Sequence, residues 1–371
     1  MKRSVFVAGR GAVSSYGAGC KTLVEGVWSG ERGVRARDRT LAFKASTAVA
    51  GEFPAGLFAG VAELELSFEA GVRACREALC EAGISDHSTV GLLLGTTKAD
   101  LAGLREEGNG LGLPARLAHR IAEHLGLACV HASVSTACTS GLSALAMAAR
   151  RVTAGEVDRI LVLGVDTLSE FVMAGFGSMH ILDPEASRPF DITRRGISLG
   201  EGAAAIVLST HARDSIGVRI AGHGGANDAC HVTGCDREGA GLGLAVTRTL
   251  RDAGLAPQDI DLMHLHGTGT EVNDTTEAIG LGNIWDGPTP PAFGTKGQTG
   301  HTLGAAGVIE SVLTIAALER GSVPRNVGLT EAGVDSRLNL TREMHTLART
   351  RYALKAASGF GGIQQALIFE A

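Results

Sequence analysis

The chain has 371 residues, 44% of them hydrophobic, only 4% aromatic and 52 of them glycine, with a formal net charge of −5. This length allows a large core in two or three domain-sized units, filled mainly by small aliphatic side chains. The acidic balance argues against a nucleic-acid-binding protein, because such proteins carry a basic excess that neutralises phosphates.

Membrane and export signals are weak in this sequence. The apolar run that follows the basic start is only residues 5–8, too short for a signal peptide, and runs such as 312–318 are too short to cross a bilayer. We therefore expect a cytoplasmic protein with no membrane partner. An odd number of cysteines without any CxxC pair argues against a disulfide framework. The cysteines are Cys20, Cys75, Cys80, Cys129, Cys138, Cys230 and Cys235.

Short apolar runs bounded by glycine predict buried strands along the whole chain. They read SVFVAG at the start, VGLLLG from Val90, ILVLGVD from Ile160, AAAIVL from Ala203 and ALIFE near the end. Helical spacing lies between them, at 66–83 and 243–254. Strands that alternate with helices predict a layered α/β fold with a mixed or parallel sheet.

Two segments look like distant copies of one another. SGLSALAMAARRVTAGEV from Ser140 and AGVIESVLTIAALERGSV from Ala306 both begin with small residues, continue as an alanine-rich helix and end in Gly-x-Val. The likeness indicates two halves of similar construction. We place them at residues 1–210 and 211–371.

Cys138 lies between an apolar run and the first of these helices. A cysteine at a helix N-terminus is stabilised as thiolate by free backbone N–H groups and the helix dipole, so we expect its pKa below the usual value of about 8.5. The small residues after it would let the helix lie deep in the protein. A thiol at the tip of such a buried helix resembles the turn that presents a nucleophile. The alternative is an inert, packed cysteine.

Two glycine-rich segments supply the other polar groups. HLHGTGTEVND, from His264 to Asp274, contains two histidines, and GTKGQTGHTLGAAG, from Gly294, contains Lys296 and His301. One histidine alone is more often structural. Two histidines, a lysine and a cysteine, each beside a glycine-rich turn, favour a catalytic site.

Together these motifs resemble the β-ketoacyl-acyl carrier protein synthases of the thiolase superfamily, and are closest to the elongating type I/II ketosynthases. The resemblance covers nearly the whole chain and implies a duplicated thiolase fold with five αβαβα layers. The motifs that carry it are TACTSG, HGTGT, TKGQTGHTLGAAG, SRPFDITRRGISLGEGAA from Ser187 and SGFGG from Ser358.

The resemblance implies a decarboxylative Claisen condensation. Cys138 would take an acyl group from a carrier-protein thioester, and His266 and His301 would stabilise the enolate that malonyl decarboxylation leaves. The backbone N–H groups of Cys138 and Phe360 would form the oxyanion hole, with Gly359 and Phe360 on a gating loop. The cysteine and the two histidines favour this reaction over thiolase chemistry, which needs a second cysteine near the C-terminus, and over type III synthases, which use asparagine at position 301.

The resemblance also implies supporting roles. Lys296 would complete the catalytic group and pair with the buried Glu310. The acidic Asp274 and Glu277 would organise the base of the site, although a purely structural role suits these two and Glu310 equally well. The phosphopantetheine arm and substrate would contact Thr268, Thr270 and Phe176.

A dinucleotide-binding protein and a zinc-binding protein fit the motifs less well. GRGAVS, from Gly9, begins like a dinucleotide fingerprint, but Ser14 occupies the place of its third glycine. His264 and His266 could ligate zinc with a cysteine, but no cysteine pair or acidic partner stands at ligand spacing. We expect no metal and a structural role for His264, which stands where the family usually has asparagine.

The chain departs from the family pattern in its length and at two positions near the expected entrance of the substrate pocket. It is shorter than the usual elongating synthase, mainly before Cys138. Cys235 and Ser358 stand where proline and phenylalanine are usual. These changes favour a specialised pathway, of the aryl polyene or polyketide type, over housekeeping fatty-acid elongation. A non-catalytic chain-length factor is a further alternative, although such partners lack the nucleophile.

The implied partner is an acyl carrier protein, whose phosphopantetheine carries the substrates, so no separate cofactor is expected. The chain would dimerise with itself or with a chain-length factor. Acyl length and starter unit are not encoded in these motifs. A solvated-surface role is the default for each arginine, and the candidate docking charges for the acidic carrier are Arg73, Arg116, Arg120, Arg194 and Arg195.

Overall fold

The computed structural model describes residues 3–37, 47–99, 114–234 and 236–371. Its strands are β1 Val5–Ser14, β2 Gly17–Ala18, β3 Arg35–Ala36, β4 Val49–Ala50, β5 Gly91–Gly95, β6 Cys129–Val134, β7 Arg159–Asp166, β8 Gly202–Ser209, β9 Arg219–Asn227, β10 Leu262–His264, β11 Ala292–Phe293, β12 Ser322–Val323, β13 His345–Thr346, β14 Tyr352–Gly359 and β15 Ile363–Glu370. Its helices are α1 Cys20–Trp28, α2 Leu66–Glu81, α3 Pro114–Leu125, α4 Ser140–Ala154, α5 Glu170–Ser178, α6 Ala240–Ala253, α7 Glu271–Gly282, α8 Lys296–Thr299 and α9 Ala306–Arg320. The strands and helices expected from the sequence are all confirmed.

The main strands are hydrogen-bonded into one continuous mixed sheet, whose two parts are called here the first and the second sheet. The order is β6-β5-β7-β8-β1 in the first half and β9-β15-β14-β10-β11 in the second. The sheets join where Val5 and Phe6 of β1 pair with Ile220 and Arg219 of β9. The proposed boundary at residue 210 falls in the connection between β8 and β9, and it stays a prediction.

The helices complete a five-layer arrangement. α2 and α3 cover the outer face of the first sheet, and α6 covers the outer face of the second with α7 packed beside it. α4 and α9 lie between the sheets, and their side chains share one apolar core with both inner faces. α9 is buried from Ala306 to Leu318, as is typical of a helix inside a layered core, whereas α4 exposes Met147 and Arg150. The αβαβα layers of a duplicated thiolase fold are thus confirmed.

The two central helices approach each other closely because both carry glycine at the contact. A Cβ atom on Gly307 would lie 2.4 Å from the backbone nitrogen of Leu142, and one on Gly141 would lie 2.6 Å from the carbonyl oxygen of Gly304. Both helices end at a left-handed glycine, Gly155 and Gly321. These are the two segments that the sequence indicated as copies.

The dinucleotide-fingerprint alternative is wrong, because its glycines lie inside β1 and not in a strand-to-helix turn. A Cβ atom on Gly11 would lie 1.9 Å from the carbonyl oxygen of Ala74 in α2, so glycine is required there for packing. Across the described ranges, no helix combines the length and the apolar character that crossing a bilayer would need.

Candidate active site

Cys138 lies on a sharp turn between β6 and α4. The preceding Ala137 has a φ of 51°, a left-handed conformation that costs free energy for a residue with a side chain. The backbone nitrogen of Thr136 donates to the Ser140 hydroxyl at 3.0 Å, which closes the turn. The structure therefore contains the sharp turn that the sequence predicted, with Cys138 on it.

The expected low pKa of Cys138 is wrong for the resting protein. Burial raises the pKa of the thiol to about 11, even though the charge of Lys296 and the backbone N–H groups of Phe360 and Cys138 lower it. The nearby Asp166 carboxylate raises it further. Desolvation of a thiolate outweighs the helix N-terminus here, because Cys138 is only 6% exposed.

Two carboxylates of α7 accept hydrogen bonds from the loop after β10 and hold it in place. Glu277 accepts the backbone N–H groups of His266 at 2.6 Å and Gly267 at 2.8 Å. Asp274 accepts those of Thr268 at 3.0 Å and Gly269 at 3.1 Å. Burial raises the pKa of Glu277 to about 7 and also raises that of Asp274, against the hydrogen bonds that lower both. These contacts fix the backbone that carries His266.

His266 is oriented by Lys296, which is fully buried at the start of α8. The Lys296 Nζ atom lies 3.2 Å from His266 Nδ1, 2.5 Å from the His266 carbonyl oxygen and 2.5 Å from Glu310 Oε1. An ammonium group only donates, so Nδ1 must accept and the ring proton must be on Nε2. Burial, and after it the charge of Lys296, lowers the pKa of His266 well below its usual value. The neutral ring therefore presents an N–H group at Nε2.

His301 precedes α9, and its hydrogen bonds within the described residues are made by its backbone. Its N–H group donates to the Ser198 carbonyl at 2.7 Å, and its carbonyl accepts from Gly200 at 2.9 Å. Neither ring nitrogen has a hydrogen-bond partner among the described residues, although the residue is only 1% exposed. Burial lowers the pKa of this imidazole too. An unpartnered buried imidazole is costly, so it points to a group supplied by a ligand.

One cavity of about 640 Å³ gathers these groups. The rings of His266 and His301 meet edge to face with centroids 5.4 Å apart. The residues from the sequence analysis that line the cavity are Cys138, Phe176, His266, Thr268, Thr270, His301, Gly359 and Phe360. Four other residues from the sequence analysis do not line the cavity and instead support the lining residues. They are Lys296, Asp274, Glu277 and Glu310.

The loop after β14 contributes Phe360 to the cavity lining. The Phe360 ring stacks on Phe176 of α5 with centroids 5.8 Å apart. Gly361 donates its N–H to the Val232 carbonyl at 2.7 Å, which ties this loop to the neighbouring loop. Ser358, noted as a departure from the family pattern, also lines the cavity. Cys235, the other noted departure, lies outside the described residues.

The candidate docking arginines fall into two groups. Arg194 and Arg195 line the cavity, and Arg195 pairs with Glu185 at 3.1 Å. The other three are not among the lining residues. Arg73 and Arg120 lie over the rings of Phe58 and Phe68, and Arg116 is exposed on α3.

Two buried charged residues at the site were missed by the sequence analysis. Lys355 in β14 lies 2.7 Å from Glu310 Oε2. Asp166, at the end of β7, accepts the Gly304 N–H at 2.7 Å and the Thr97 N–H at 2.8 Å, so it joins the two halves beside Cys138. A lone lysine in the apolar strand YALKAAS is the signal that could have shown Lys355.

His264 has the structural role that the sequence analysis expected. Its Nδ1 atom lies 3.0 Å from the Thr314 hydroxyl and its Nε2 atom 3.2 Å from that of Thr295. The ring packs on Phe293 with centroids 4.2 Å apart. Within the described part of the chain, no three His, Cys, Asp or Glu side chains are grouped to hold a metal.

Comparison with known families gives matches along most of the chain. Residues 2–213 match the family described as "Beta-ketoacyl synthase, N-terminal domain". Residues 218–330 match "Beta-ketoacyl synthase, C-terminal domain".

Individual proteins agree with the family match. The chain is 36% identical to 3-oxoacyl-[acyl-carrier-protein] synthase 2 of Mycobacterium bovis over 63% of its own length and 59% of the relative's. It is 29% identical to the protein of the same name from Vibrio harveyi over 100% of this chain and 99% of the relative. A solved structure titled "The ishigamide ketosynthase/chain length factor" superposes with a TM-score of 0.90 at 27% identity, covering 100% of both chains.

Proposed function

The chain belongs to the β-ketoacyl synthase family, and from that premise we propose that it condenses a malonyl thioester with an acyl group held on Cys138. One observation carries this proposal. The Cys138 thiol and the two neutral imidazoles line the same cavity, and His301 has both ring nitrogens free of partners among the described residues.

In the first half-reaction, the Cys138 sulfur attacks the carbonyl carbon of an acyl thioester. The backbone N–H groups of Cys138 and Phe360 lower the pKa of the thiol, so they are close to the sulfur, and in this proposal they donate to the oxyanion that forms beside it. The bond to the carrier thiol breaks, and that thiol leaves with the proton that Cys138 gives up. Because burial raises the pKa of Cys138, the thiol carries this proton in the resting protein, and the proton must be removed for the transfer.

In the second half-reaction, a malonyl thioester binds with its carbonyl oxygen at the two imidazoles. The bond to the carboxylate breaks, carbon dioxide leaves, and the electron pair forms an enolate. Its oxygen accepts from the Nε2–H of His266 and from an N–H of His301, since both rings are neutral and lie close together. The carbanion attacks the acyl carbonyl, Cys138 leaves as thiolate, and one proton restores the thiol.

The substrates reach this site on an acyl carrier protein. The names of both relatives above specify that carrier. The cavity lining supports this choice, because Thr268 and Thr270 offer hydroxyl groups to a polar arm and Arg194 and Arg195 offer positive charge to an acidic partner. Two carbonyl groups of Asp191 and Gly333 accept from Arg194 at 3.0 Å, which holds its guanidinium in place.

The partner subunit would dock on β6. This strand is the last of its sheet, and its outer edge has no neighbouring strand among the described residues. A partly exposed strand edge of this kind is completed by a strand of another chain. We propose a second ketosynthase-fold chain there, either a copy of this one or a chain-length factor. The likeness to a ketosynthase/chain-length-factor structure supports a specialised pathway over housekeeping elongation.

The test is intact-mass spectrometry of the purified chain, alone and with co-expressed neighbours, after incubation with a panel of acyl carrier thioesters. We expect the acyl mass on Cys138, and 3-oxoacyl product when malonyl carrier protein is added. Cys138→Ala should show neither, whereas Cys80→Ala, a change at an exposed cysteine, should show both. Full condensation by a complex that contains the Cys138→Ala chain would instead identify this chain as the non-catalytic partner.

A further inference from the structure

We propose that Lys355 is a second positioning lysine of this site, which acts through Glu310 and Lys296 to keep His266 neutral with its N–H group facing the cavity. The inference rests on the proposed function and adds a residue to it. Lys355 contacts neither the cavity nor the reacting atoms, so its effect must be indirect.

Lys355 has no contact with solvent, and oxygen atoms surround its ammonium group. Its Nζ atom donates to the Ala356 carbonyl at 2.6 Å and to the Leu265 carbonyl at 3.2 Å, and the His264 carbonyl lies 3.5 Å away. The same atom forms an ion pair with Glu310 Oε2 at 2.7 Å. A lysine buried without such partners would be deprotonated or would destabilise the fold. Burial lowers the pKa of Lys355, and the carboxylates of Glu310 and Glu277 oppose that shift and favour the charged side chain.

Glu310 serves two lysines at once. Its Oε1 atom lies 2.5 Å from Lys296, and its Oε2 atom lies 2.7 Å from Lys355. One carboxylate and one lysine would form a neutral buried pair. With the second lysine, the group carries a net positive charge directly behind His266.

That charge bears on the protonation of His266. The titratable groups facing Lys355 are Glu310, Lys296 and Glu277, with His264 on the neighbouring strand. The charge of Lys355 also lowers the pKa values of His266 and His301, although burial and the charge of Lys296 lower them more. A protonated His266 would have no lone pair at Nδ1 for Lys296 and would add a further buried positive charge. Lys355 therefore disfavours the protonated form that would break the contact with Lys296.

The decisive variant is Lys355→Met, which keeps the length of the side chain and removes its charge. We expect the pKa of His266 to rise by about one unit, and the acid limb of malonyl decarboxylation to move to higher pH by the same amount. The His266 titration is followed by NMR of histidine-labelled protein and assigned by comparison with His266→Ala. A merely structural role for Lys355 would lower the rate at every pH without moving the limb.

A charge-balancing double variant provides the matched control. Lys355→Met with Glu310→Gln leaves Lys296 as the only charge of the group and so restores one net positive charge. We expect the acid limb and the His266 titration to return towards their wild-type positions. If the double variant keeps the displacement of the single variant, the electrostatic role is overturned.

Lys355→Gln covers the case in which methionine is not tolerated. Its amide retains donors for Glu310 and Leu265 but has no charge, so the same displacement is expected. An unmoved His266 titration in a folded Lys355→Gln protein would refute the proposal. Because the titration is measured on the resting protein, it stays informative if the wild type fails to condense, an outcome that would reject only the proposed function.

Discussion

Lys296 and His266 are joined twice, since the Lys296 Nζ atom lies 3.2 Å from the ring Nδ1 atom and 2.5 Å from the carbonyl oxygen of the same residue. The first contact selects the ring tautomer and the second fixes the backbone from which the ring projects. A single ammonium group thereby determines both where His266 is and which nitrogen carries its proton.

Replacement of Lys296 by methionine should therefore impair decarboxylation more than acyl transfer. Without the ammonium donor, His266 can place its proton on Nδ1 and lose the N–H that we propose for the enolate. We expect malonyl decarboxylation to fall by about 10²–10³-fold, while acylation of Cys138 continues because its proposed oxyanion hole consists of backbone N–H groups. Release of carbon dioxide and intact mass measure the two steps separately. Equal losses in both would contradict this division of roles.

The reactivity of Cys138 towards iodoacetamide should rise with pH well beyond the range of an ordinary thiol. Its pKa is raised to about 11 by burial, so the thiolate fraction grows about tenfold for each pH unit below that value. Alkylation rates followed by peptide mass spectrometry, with Cys138→Ala to identify the adduct, provide the measurement. A plateau below about pH 8.5 would show instead that the helix N-terminus outweighs burial.

Asp274→Asn should loosen the loop that carries His266. Besides the N–H groups of the loop, Asp274 accepts the Phe190 N–H at 2.7 Å. An asparagine retains only one acceptor oxygen, so its NH2 group would face one of these backbone N–H groups. We expect a loss of about 2 kcal/mol in the free energy of unfolding, measured by denaturant titration. The matched control is Asp286→Asn, at an exposed position, which should leave the free energy unchanged. Equal stabilities of the two variants would remove Asp274 from this role.

Gly307→Ala should separate the two central helices. The new Cβ atom would lie 2.4 Å from the Leu142 nitrogen, so one helix must move, with a loss of about 1–3 kcal/mol. Gly243→Ala in α6 is the control, because its Cβ would meet its nearest neighbour at 3.5 Å. That control should be neutral or stabilise the protein by about 0.5–1 kcal/mol, as alanine favours helix over glycine. Thermal unfolding of both variants compares them, and a stable Gly307→Ala protein would contradict the packing argument.

The sequence by itself determined the fold class and the composition of the site. Buried strands without polar alternation, alanine-rich helices and two copied segments indicate layers of sheets and helices, because their periodicities are local properties of the chain. The motifs around Cys138, His266 and His301 likewise named the groups that the structure brings into one cavity.

Only the tertiary structure decided the electrostatics. The rule for a thiol at a helix N-terminus gave the wrong direction for Cys138, because the loss of solvent at that turn depends on what packs over it. Lys355 and Asp166 are separated in sequence from the groups they contact, Glu310 and Gly304, and their strands carry no motif. Local patterns specify elements and side-chain chemistry, whereas burial and charge at a site arise from distant segments that meet only in the folded chain.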